Sequence, residues 1–261
     1  MERFLSEKLI RWKDSTRRKP LLIHGVRHAG KTWLMKEFGR TAYKKTAYVS
    51  FISSPQMKGA FDTDCDPRRI LMDIAAWTGV NITPSDTLII LDDTEEVPRA
   101  LESLKYFCEE APDYHIIVAG SLLGVAVNRA KFSFPVGKVD MKTLYPMDME
   151  EFMLALGEDD LVKRIRQSFA TDTPLPSALH DKAMLLYRQY LVVGGMPECV
   201  RQFVDTKDYI LVRHTQDTIL ASYLNDMSKY NNLNEIKKTD LPMTALPCSS
   251  QRKIPVFNIN S

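Results

Sequence analysis

Residues 21–38 read LLIHGVRHAGKTWLMKEF, and this stretch decides the fold. Three apolar residues come first, a turn bounded by Gly25 and Gly30 follows, and from Lys31 onward the apolar residues recur at helical spacing. The stretch therefore predicts a buried strand, a loop and a helix in succession. Residues 25–32 also satisfy the G-x-x-x-x-G-K-[ST] pattern in full.

The residue types of this loop suit the binding of phosphate groups and a divalent cation. Glycines let the backbone curl so that several N–H groups point inward at phosphate oxygens, and the following helix adds the positive end of its dipole. Lys31 is expected to reach the β- and γ-phosphates of a nucleotide, and the Thr32 hydroxyl is expected to bind Mg²⁺. The predicted phosphate loop comprises Gly25, Val26, Arg27, His28, Ala29, Gly30, Lys31 and Thr32.

A second apolar segment ends in acidic residues. Residues 87–91 are rich in branched side chains, and Asp92 and Asp93 follow them. P-loop proteins use such an acid in the magnesium shell, and parallel sheets place their ligands at the strand tips. We expect Asp92 to act in metal binding and Asp93 to polarise the water that attacks the γ-phosphate. The alternative, a solvated acidic turn, is less favoured beside a phosphate loop.

Ser121 is a third candidate, because it directly follows an apolar strand that includes residues 115–118. A polar residue at this position can lie next to the γ-phosphate and help to place the attacking water. Serine is also a common N-cap, and it would suit a helix predicted over residues 122–128. Both roles can hold together.

Short apolar strands and helices alternate over residues 1–147, which predicts an α/β core with a parallel sheet and flanking helices. Beyond residue 147 the helical pattern continues without a convincing strand, so we predict a small helical lid domain over residues 148–230. Residues 231–261 contain three prolines and no periodicity, and we predict a largely disordered tail there.

Composition narrows the class of protein. The net charge of +2 is too near neutral to indicate nucleic-acid or membrane binding by itself. Four widely spaced cysteines without a Cys-x-x-Cys pair fit unpaired thiols better than disulfides or a zinc site. No run reaches the roughly 20 apolar residues of a membrane span, and the N-terminus lacks the apolar core of a signal peptide. We therefore expect a cytoplasmic protein with no membrane partner.

Four stretches of the chain resemble those of the prokaryotic AAA+-like ATPases that carry a C-terminal domain of unknown function. They read RKPLLIHGVRHAGKTWLMKEF, LIILDDTEEVPRALESLKYFCEEAPDYHIIVAGSLLG, SFPVGKVDMKTLYPMDMEEF and YLVVGGMPE. The resemblance runs from about residue 1 to about residue 230. It implies ATP and Mg²⁺ as ligands, a P-loop sheet with AAA+-type strand order, a helical lid, and a more C-terminal part of winged-helix and nuclease-like character.

The resemblance also carries individual roles by position. Arg27 matches the usual arginine of the family's phosphate loop, Asp92 the metal-shell acid and Ser121 the sensor position. The pair Gly137-Lys138 matches a glycine-basic pair, so Lys138 is a candidate for contacting a phosphate in its own chain or in a neighbouring subunit. An exposed lysine at the start of a strand is the alternative. The sequence GGMP at residues 194–197 matches a turn in the lid.

The chain departs from the family pattern at several points. His28 replaces the usual glutamine, and Asp93 replaces the usual glutamate, which shortens the water-polarising side chain by one methylene. The family also continues well beyond the position of Ser261, and the tail does not look like that continuation, so a truncated or frameshifted copy is one interpretation. The shorter side chain of Asp93 predicts slow hydrolysis.

Three functions therefore remain open on the sequence. The first is an ATPase that uses hydrolysis to drive a conformational change, with a homo-oligomer as one form of assembly. The second is a nucleotide-binding switch or remnant that scarcely turns ATP over. The third is a nucleic-acid-associated ATPase, which rests on five basic residues between positions 11 and 19. Such a run is more often a solvated face.

Overall fold

The computed structural model describes residues 3–121, 135 and 137–230. The strands of this part are β1 (Leu21–Gly25), β2 (Lys45–Ser50), β3 (Thr87–Asp92), β4 (His115–Ser121) and β5 (Asp140–Thr143). The helices that accompany them are α1 (Leu5–Lys13), α2 (Lys31–Ala42), α3 (Pro67–Thr78) and α4 (Pro98–Glu110). The later helices are α5 (Met149–Ala155), α6 (Asp159–Thr171), α7 (Ser177–Val193), α8 (Pro197–Thr206) and α9 (Tyr209–Tyr230).

The five strands form one parallel sheet in the order β2-β3-β4-β1-β5. Strand β4 therefore lies between β1, which leads into the phosphate loop, and β3, which ends in Asp92. Because all strands run the same way, their carboxyl ends meet at one edge, where Gly25 of β1 is in register with Ser121 of β4. The prediction of a P-loop parallel sheet with flanking helices is confirmed.

Both faces of the sheet are buried, and the alternation along β3 shows how. Ile89 and Leu91 pack into a core with residues of α3 and α4, whereas Leu88 and Ile90 pack into a second core with residues of α1 and α2. Successive residues of a strand point to opposite faces, so a strand buried on both faces reads as a continuous apolar run. This is why residues 87–91 were recognisable as a strand.

Strand β5 was not predicted from the apolar pattern, and a strand near Lys138 entered only as the alternative to a phosphate contact. Its sequence, DMKT, has a single apolar residue, and its side chains are only partly buried or exposed. It lies at the edge of the sheet and pairs with β1 alone. An edge strand that packs little apolar surface leaves no periodic signal in the sequence.

The helices from α5 onward confirm the predicted helical portion. Asp148 is the N-cap of α5. Its side chain accepts a hydrogen bond from the Glu151 N–H as part of a capping box. A small core of Met153, Leu161, Val162 and Leu186 joins α5, α6 and α7. Contacts divide the chain into two units at Val212 and Arg213, so the predicted boundary at residue 147 falls inside the first unit.

Two further predictions concern residues beyond this description. The predicted tail, residues 231–261, and the predicted helix over residues 122–128 both lie outside the described residues. Among the helices that the structure describes, none is long and apolar enough to cross a membrane.

His115, at the start of β4, predicts a pH dependence of stability. Its side chain is buried, and Nδ1 lies 2.6 Å from the Tyr43 hydroxyl. Burial lowers the pKa of His115 to about 4, and the charges of Arg18 and Lys13 act in the same direction.

In the unfolded chain the histidine pKa is about 6.5. Between pH 6.5 and pH 4, His115 is therefore protonated in the unfolded chain but neutral in the folded chain. The contribution of neutral His115 to stability should be complete above pH 6.5 and fall by roughly 2–3 kcal/mol by pH 4. Urea unfolding of the wild type and of His115→Gln across this range would measure it. The stability difference between the two should shrink on acidification; a difference independent of pH would refute the assignment.

Candidate functional site

The phosphate-loop motif occupies the turn between β1 and α2, and its glycines have distinct steric reasons. A Cβ added to Gly25 would lie 2.2 Å from the carbonyl oxygen of Leu144, so no side chain fits there. Gly30 has a φ of +91° and precedes the first residue of α2. Only glycine adopts such a left-handed conformation freely. The two glycines thus fix the path of the loop and the start of the helix.

His28 also has a positive φ, +61°, which is uncommon for a residue with a side chain. Histidine is one of the residues that tolerate this region better than most. Arg27 and His28 both line a cavity at the carboxyl edge of the sheet. The loop therefore presents a guanidinium and an imidazole to that cavity.

Lys31 folds back over the loop from the first turn of α2. Its Nζ donates to the carbonyl oxygens of Gly25 at 3.0 Å and Val26 at 2.9 Å. Burial lowers the pKa of Lys31, while the carboxylates of Glu95 and Asp92 act in the opposite direction. The ammonium therefore lies in a partly desolvated position where an anionic ligand would stabilise its charge.

Thr32 and Asp92 meet across the sheet although they are 60 residues apart in the sequence. The Thr32 hydroxyl donates to Asp92 Oδ2 at 2.6 Å, and the Tyr48 hydroxyl donates to the same oxygen at 3.2 Å. Asp92 is 4% exposed, and this burial raises its pKa. The structure brings together the two residues that the sequence predicted as metal ligands.

This pair fits Mg²⁺ by the chemistry of its donors. Mg²⁺ prefers oxygen ligands and is usually held by one or two carboxylates together with water and substrate phosphates. Within the described residues, no group of three or more histidine, cysteine or acidic side chains is placed to hold a metal by protein ligands alone. A cation shared between Thr32, Asp92 and a phosphate is the arrangement these residues suit.

Asp93 adopts a left-handed conformation with a φ of +59°. The Ser50 hydroxyl, at the end of β2, donates to Asp93 Oδ2 at 2.7 Å. Among the acids that follow, Glu95 lines the same cavity as Asp93, whereas Glu96 forms an ion pair with Lys58 at 3.0 Å. Of the acids that follow Asp92, Asp93 and Glu95 thus both line the cavity and could act on a water there.

The cavity has a volume of about 410 Å³. Its lining combines the loop and acid residues already described with Trp33, Gly120, Pro197 and Glu198. A second cavity, of about 570 Å³, shares Gly30, Trp33, Pro197 and Glu198 with the first. The two cavities are therefore adjacent and extend from the loop towards α8.

A family model described as an AAA domain matches residues 17–153, which is more than half of the chain. The chain belongs to the AAA family. This match covers the phosphate loop, the acids after β3 and the strand β4, and it confirms the resemblance to AAA+-like ATPases. A second model, described as a domain of unknown function (DUF8612), matches residues 184–261. That match includes residues 231–261, for which the sequence predicts a tail.

Several solved structures are similar to this AAA family member at low sequence identity. They include Drosophila ORC bound to DNA (15% identity, TM-score 0.43, 82% of this chain and 66% of that one). Others are Aeropyrum pernix ORC2 in ADPNP–ADP complexes (19%, 0.40, 60% and 51%) and a Thermotoga maritima RuvB variant (13%, 0.36, 74% and 70%). The chain spans between half and two thirds of the length of the first two of these structures. No curated protein matches it.

Two residues that were predicted for the site, Ser121 and Lys138, are not among the residues described as lining the cavity. The backbone of Ser121 is beside Gly25 in the sheet register, but its side chain lies outside the description. Lys138 forms an ion pair with Glu109 at 2.9 Å and precedes β5, whose first residue pairs with Leu21. Lys138 is therefore at the amino edge of the sheet, and contact with a phosphate in the same chain does not fit this geometry.

Trp33, Gly120, Pro197 and Glu198 line the cavity but were not predicted as site residues. The last two stand at the start of α8. Their signal was the GGMPE sequence, which was interpreted only as a turn. A Cβ added to Gly195 would lie 2.0 Å from the Met147 carbonyl oxygen, and the Gly195 carbonyl accepts from the Met147 N–H at 2.6 Å. This close approach brings the start of α8 to the phosphate loop.

Proposed function

We propose that the chain binds ATP together with Mg²⁺ and hydrolyses it slowly. The observation that carries the proposal is the Thr32–Asp92 hydrogen bond of 2.6 Å beside a complete glycine loop. It supports the proposal because a hydroxyl and a carboxylate that lie this close together suit a cation that also binds phosphates. The loop N–H groups and the Lys31 ammonium supply the donors and the charge that the phosphates need.

Hydrolysis requires a water aligned with the γ-phosphorus and a group that orients it. As the water oxygen bonds to phosphorus, the bond to the bridging oxygen breaks, and ADP and phosphate are formed. Asp93 lines the cavity and can accept a hydrogen bond from that water. The backbone of Ser121 lies beside Gly25, which makes Ser121 a second candidate for orienting the water. Mg²⁺, when bound, would neutralise charge that develops on the phosphates.

A nucleotide-binding switch with little hydrolysis is the second candidate function. The observation in its favour is the hydrogen bond that Ser50 donates to Asp93, which holds a carboxylate already one methylene shorter than glutamate towards β2. Binding needs only the loop, Thr32 and Asp92, so it does not depend on Asp93. The two functions therefore differ in turnover and not in affinity.

Nucleic-acid binding is not proposed. Several basic residues near the N-terminus make contacts within the fold: Lys13 donates to the Ala42 carbonyl, and Arg18 donates to the Lys13 carbonyl at 3.1 Å. The Arg18 guanidinium also lies over the Trp12 ring, 6.0 Å from its centroid. Lys13 and Arg18 thus contribute to packing around α1, so the run of basic residues does not by itself indicate a nucleic-acid surface.

The test is ATP affinity and phosphate release with and without Mg²⁺, in the wild type and in Asp92→Asn. Mg²⁺ should strengthen ATP binding to the wild type, and phosphate release should require it. Asp92→Asn removes one charge from the cation site, so the gain in affinity from Mg²⁺ should fall by about tenfold.

Asp86→Asn is the matched control, because it makes the same chemical change just before β3, where Asp86 pairs with the exposed Lys44. The control should behave as the wild type. ATP binding by the wild type that is indifferent to Mg²⁺, or an equal effect of both substitutions, would contradict the assignment of the cation site.

A further inference from the structure

Arg3 is a buried cation directly behind the phosphate loop. It is 4% exposed, and its guanidinium reaches three different segments of the chain. Nη1 donates to the Ala29 carbonyl at 2.8 Å, Nη2 donates to the Tyr145 carbonyl at 2.6 Å, and Nε donates to Glu151 Oε1 at 3.1 Å. Charged residues are almost never fully buried unless they are paired. Arg3 meets this condition through Glu151, and its other two hydrogen bonds join the phosphate loop to residue 145.

The carboxylate that pairs with Arg3 is itself fixed in position. Glu151 is 5% exposed, and its Oε1 also accepts from the Phe4 N–H at 2.7 Å. Glu151 is the third residue of α5 and completes the capping box with Asp148. The ion pair therefore holds the Arg3 guanidinium between the start of α5 and the loop.

The contact with Ala29 has a consequence for the loop. A trans peptide is planar, and its C=O and N–H point in opposite directions. Because Arg3 binds the Ala29 carbonyl oxygen, the N–H of Gly30 in the same peptide must point away from Arg3. Arg3 lines the second cavity and not the first, whereas Gly30 lines both, so a Gly30 N–H that points away from Arg3 is directed to the side of the first cavity, which the loop lines.

We propose that Arg3 is a positioning residue for phosphate binding: its hydrogen bond to the Ala29 carbonyl holds the Ala29–Gly30 peptide with the Gly30 N–H turned toward the phosphates. The inference rests on the proposed binding of ATP in this loop. Gly30, with its freedom at positive φ, would let this peptide rotate more easily than other residues would. A bond from a side chain that is itself held by Glu151 removes that freedom before the ligand arrives.

A purely structural role for Arg3 is the competing explanation, since breaking a buried ion pair is destabilising in any case. Arg3→Met and Glu151→Gln separate the two roles. Arg3→Met removes the bond to Ala29, whereas Glu151→Gln removes the opposite charge and leaves an amide oxygen that can still accept from Arg3 Nε. Both should lower the melting temperature of the free chain.

The experiment measures ATP and ADP affinity by calorimetry, well below the lowest melting temperature of the set. Arg3→Met should bind both nucleotides about tenfold more weakly, because the Gly30 N–H is no longer held in position to donate to a charged phosphate. Glu151→Gln should stay within about threefold of the wild type. In a ¹⁵N-labelled chain, ADP should shift the Gly30 amide signal in the wild type and Glu151→Gln, and shift it much less in Arg3→Met.

The outcomes are distinguishable. A wild type that binds neither ATP nor ADP would defeat the proposed function itself. A wild type that binds, with Arg3→Met equal to it or with both variants weakened equally, would overturn the role of Arg3 alone. If Arg3→Met does not fold, Arg3→Lys takes its place, because a single ammonium keeps the charge beside Glu151 but cannot bind the three segments together. Arg3→Lys should then show the affinity loss and the reduced Gly30 shift.

Discussion

Replacing Lys31 with alanine is expected to weaken ATP binding at least tenfold. A charge-assisted hydrogen bond to a phosphate contributes about 1.5–3 kcal/mol, and 1.4 kcal/mol corresponds to a tenfold change in affinity. The structure adds a second expectation. Burial lowers the pKa of Lys31 and disfavours its charge in the free chain, whereas its hydrogen bonds to two carbonyls favour the ammonium. Because these effects oppose each other, the substitution should change the melting temperature without nucleotide only slightly.

Calorimetry with Mg·ATP and thermal unfolding of the free chain would measure the two effects separately. Lys44→Ala is the control, since Lys44 is an exposed lysine that pairs with Asp86 away from the loop. It should bind ATP as the wild type does. Equal ATP affinity of the wild type and Lys31→Ala would remove the basis for assigning the phosphate loop.

Turnover should rise when Asp93 is replaced by glutamate. The extra methylene moves the carboxylate by roughly an ångström, and a misplacement of that size can cost about a hundredfold in rate. We expect Asp93→Glu to increase single-turnover phosphate release by at least about tenfold, with ATP affinity unchanged. The left-handed φ of +59° at this residue favours aspartate over glutamate, so a small loss of stability should accompany the gain.

Glu95 is the alternative acid, because it lines the cavity and acts on the charge of Lys31. The substitutions Asp93→Asn and Glu95→Gln remove each carboxylate with little change in size. If Asp93 orients the water, Asp93→Asn should abolish the residual turnover and Glu95→Gln should not. The reverse result, together with no gain in Asp93→Glu, would assign the role to Glu95.

The parts of this site that the sequence predicted are those whose chemistry is local. The loop residues stand within eight positions of one another, and their spacing alone specifies the turn, the helix start and the charge. Asp92 was predictable because it ends a continuous apolar run, which is the mark of a strand buried on both faces. Helical periodicity likewise predicted the helices that follow residue 147.

The parts that the sequence did not predict depend on contacts between distant segments. Arg3 and Glu151 are separated by 148 residues, and neither lies in a pattern that indicates burial. Pro197 reaches the loop because Gly195 packs against Met147, which a two-glycine turn does not reveal by itself. Lys138 was a candidate for phosphate contact because the pair Gly137-Lys138 resembles a pair in the family. In the structure it forms an ion pair with Glu109 and lies at the amino edge of the sheet, opposite the phosphate loop.

The most direct test of the central claim is a crystal structure of the chain with Mg²⁺ and a non-hydrolysable ATP analogue. The proposed function predicts that the β- and γ-phosphates lie against the backbone N–H groups of residues 26–32. Lys31 Nζ should leave the Gly25 and Val26 carbonyls and contact a phosphate, and Thr32 Oγ1 should bind the cation with Asp92 in its shell. A nucleotide bound elsewhere, or a cation that touches neither Thr32 nor the water shell of Asp92, would contradict the account.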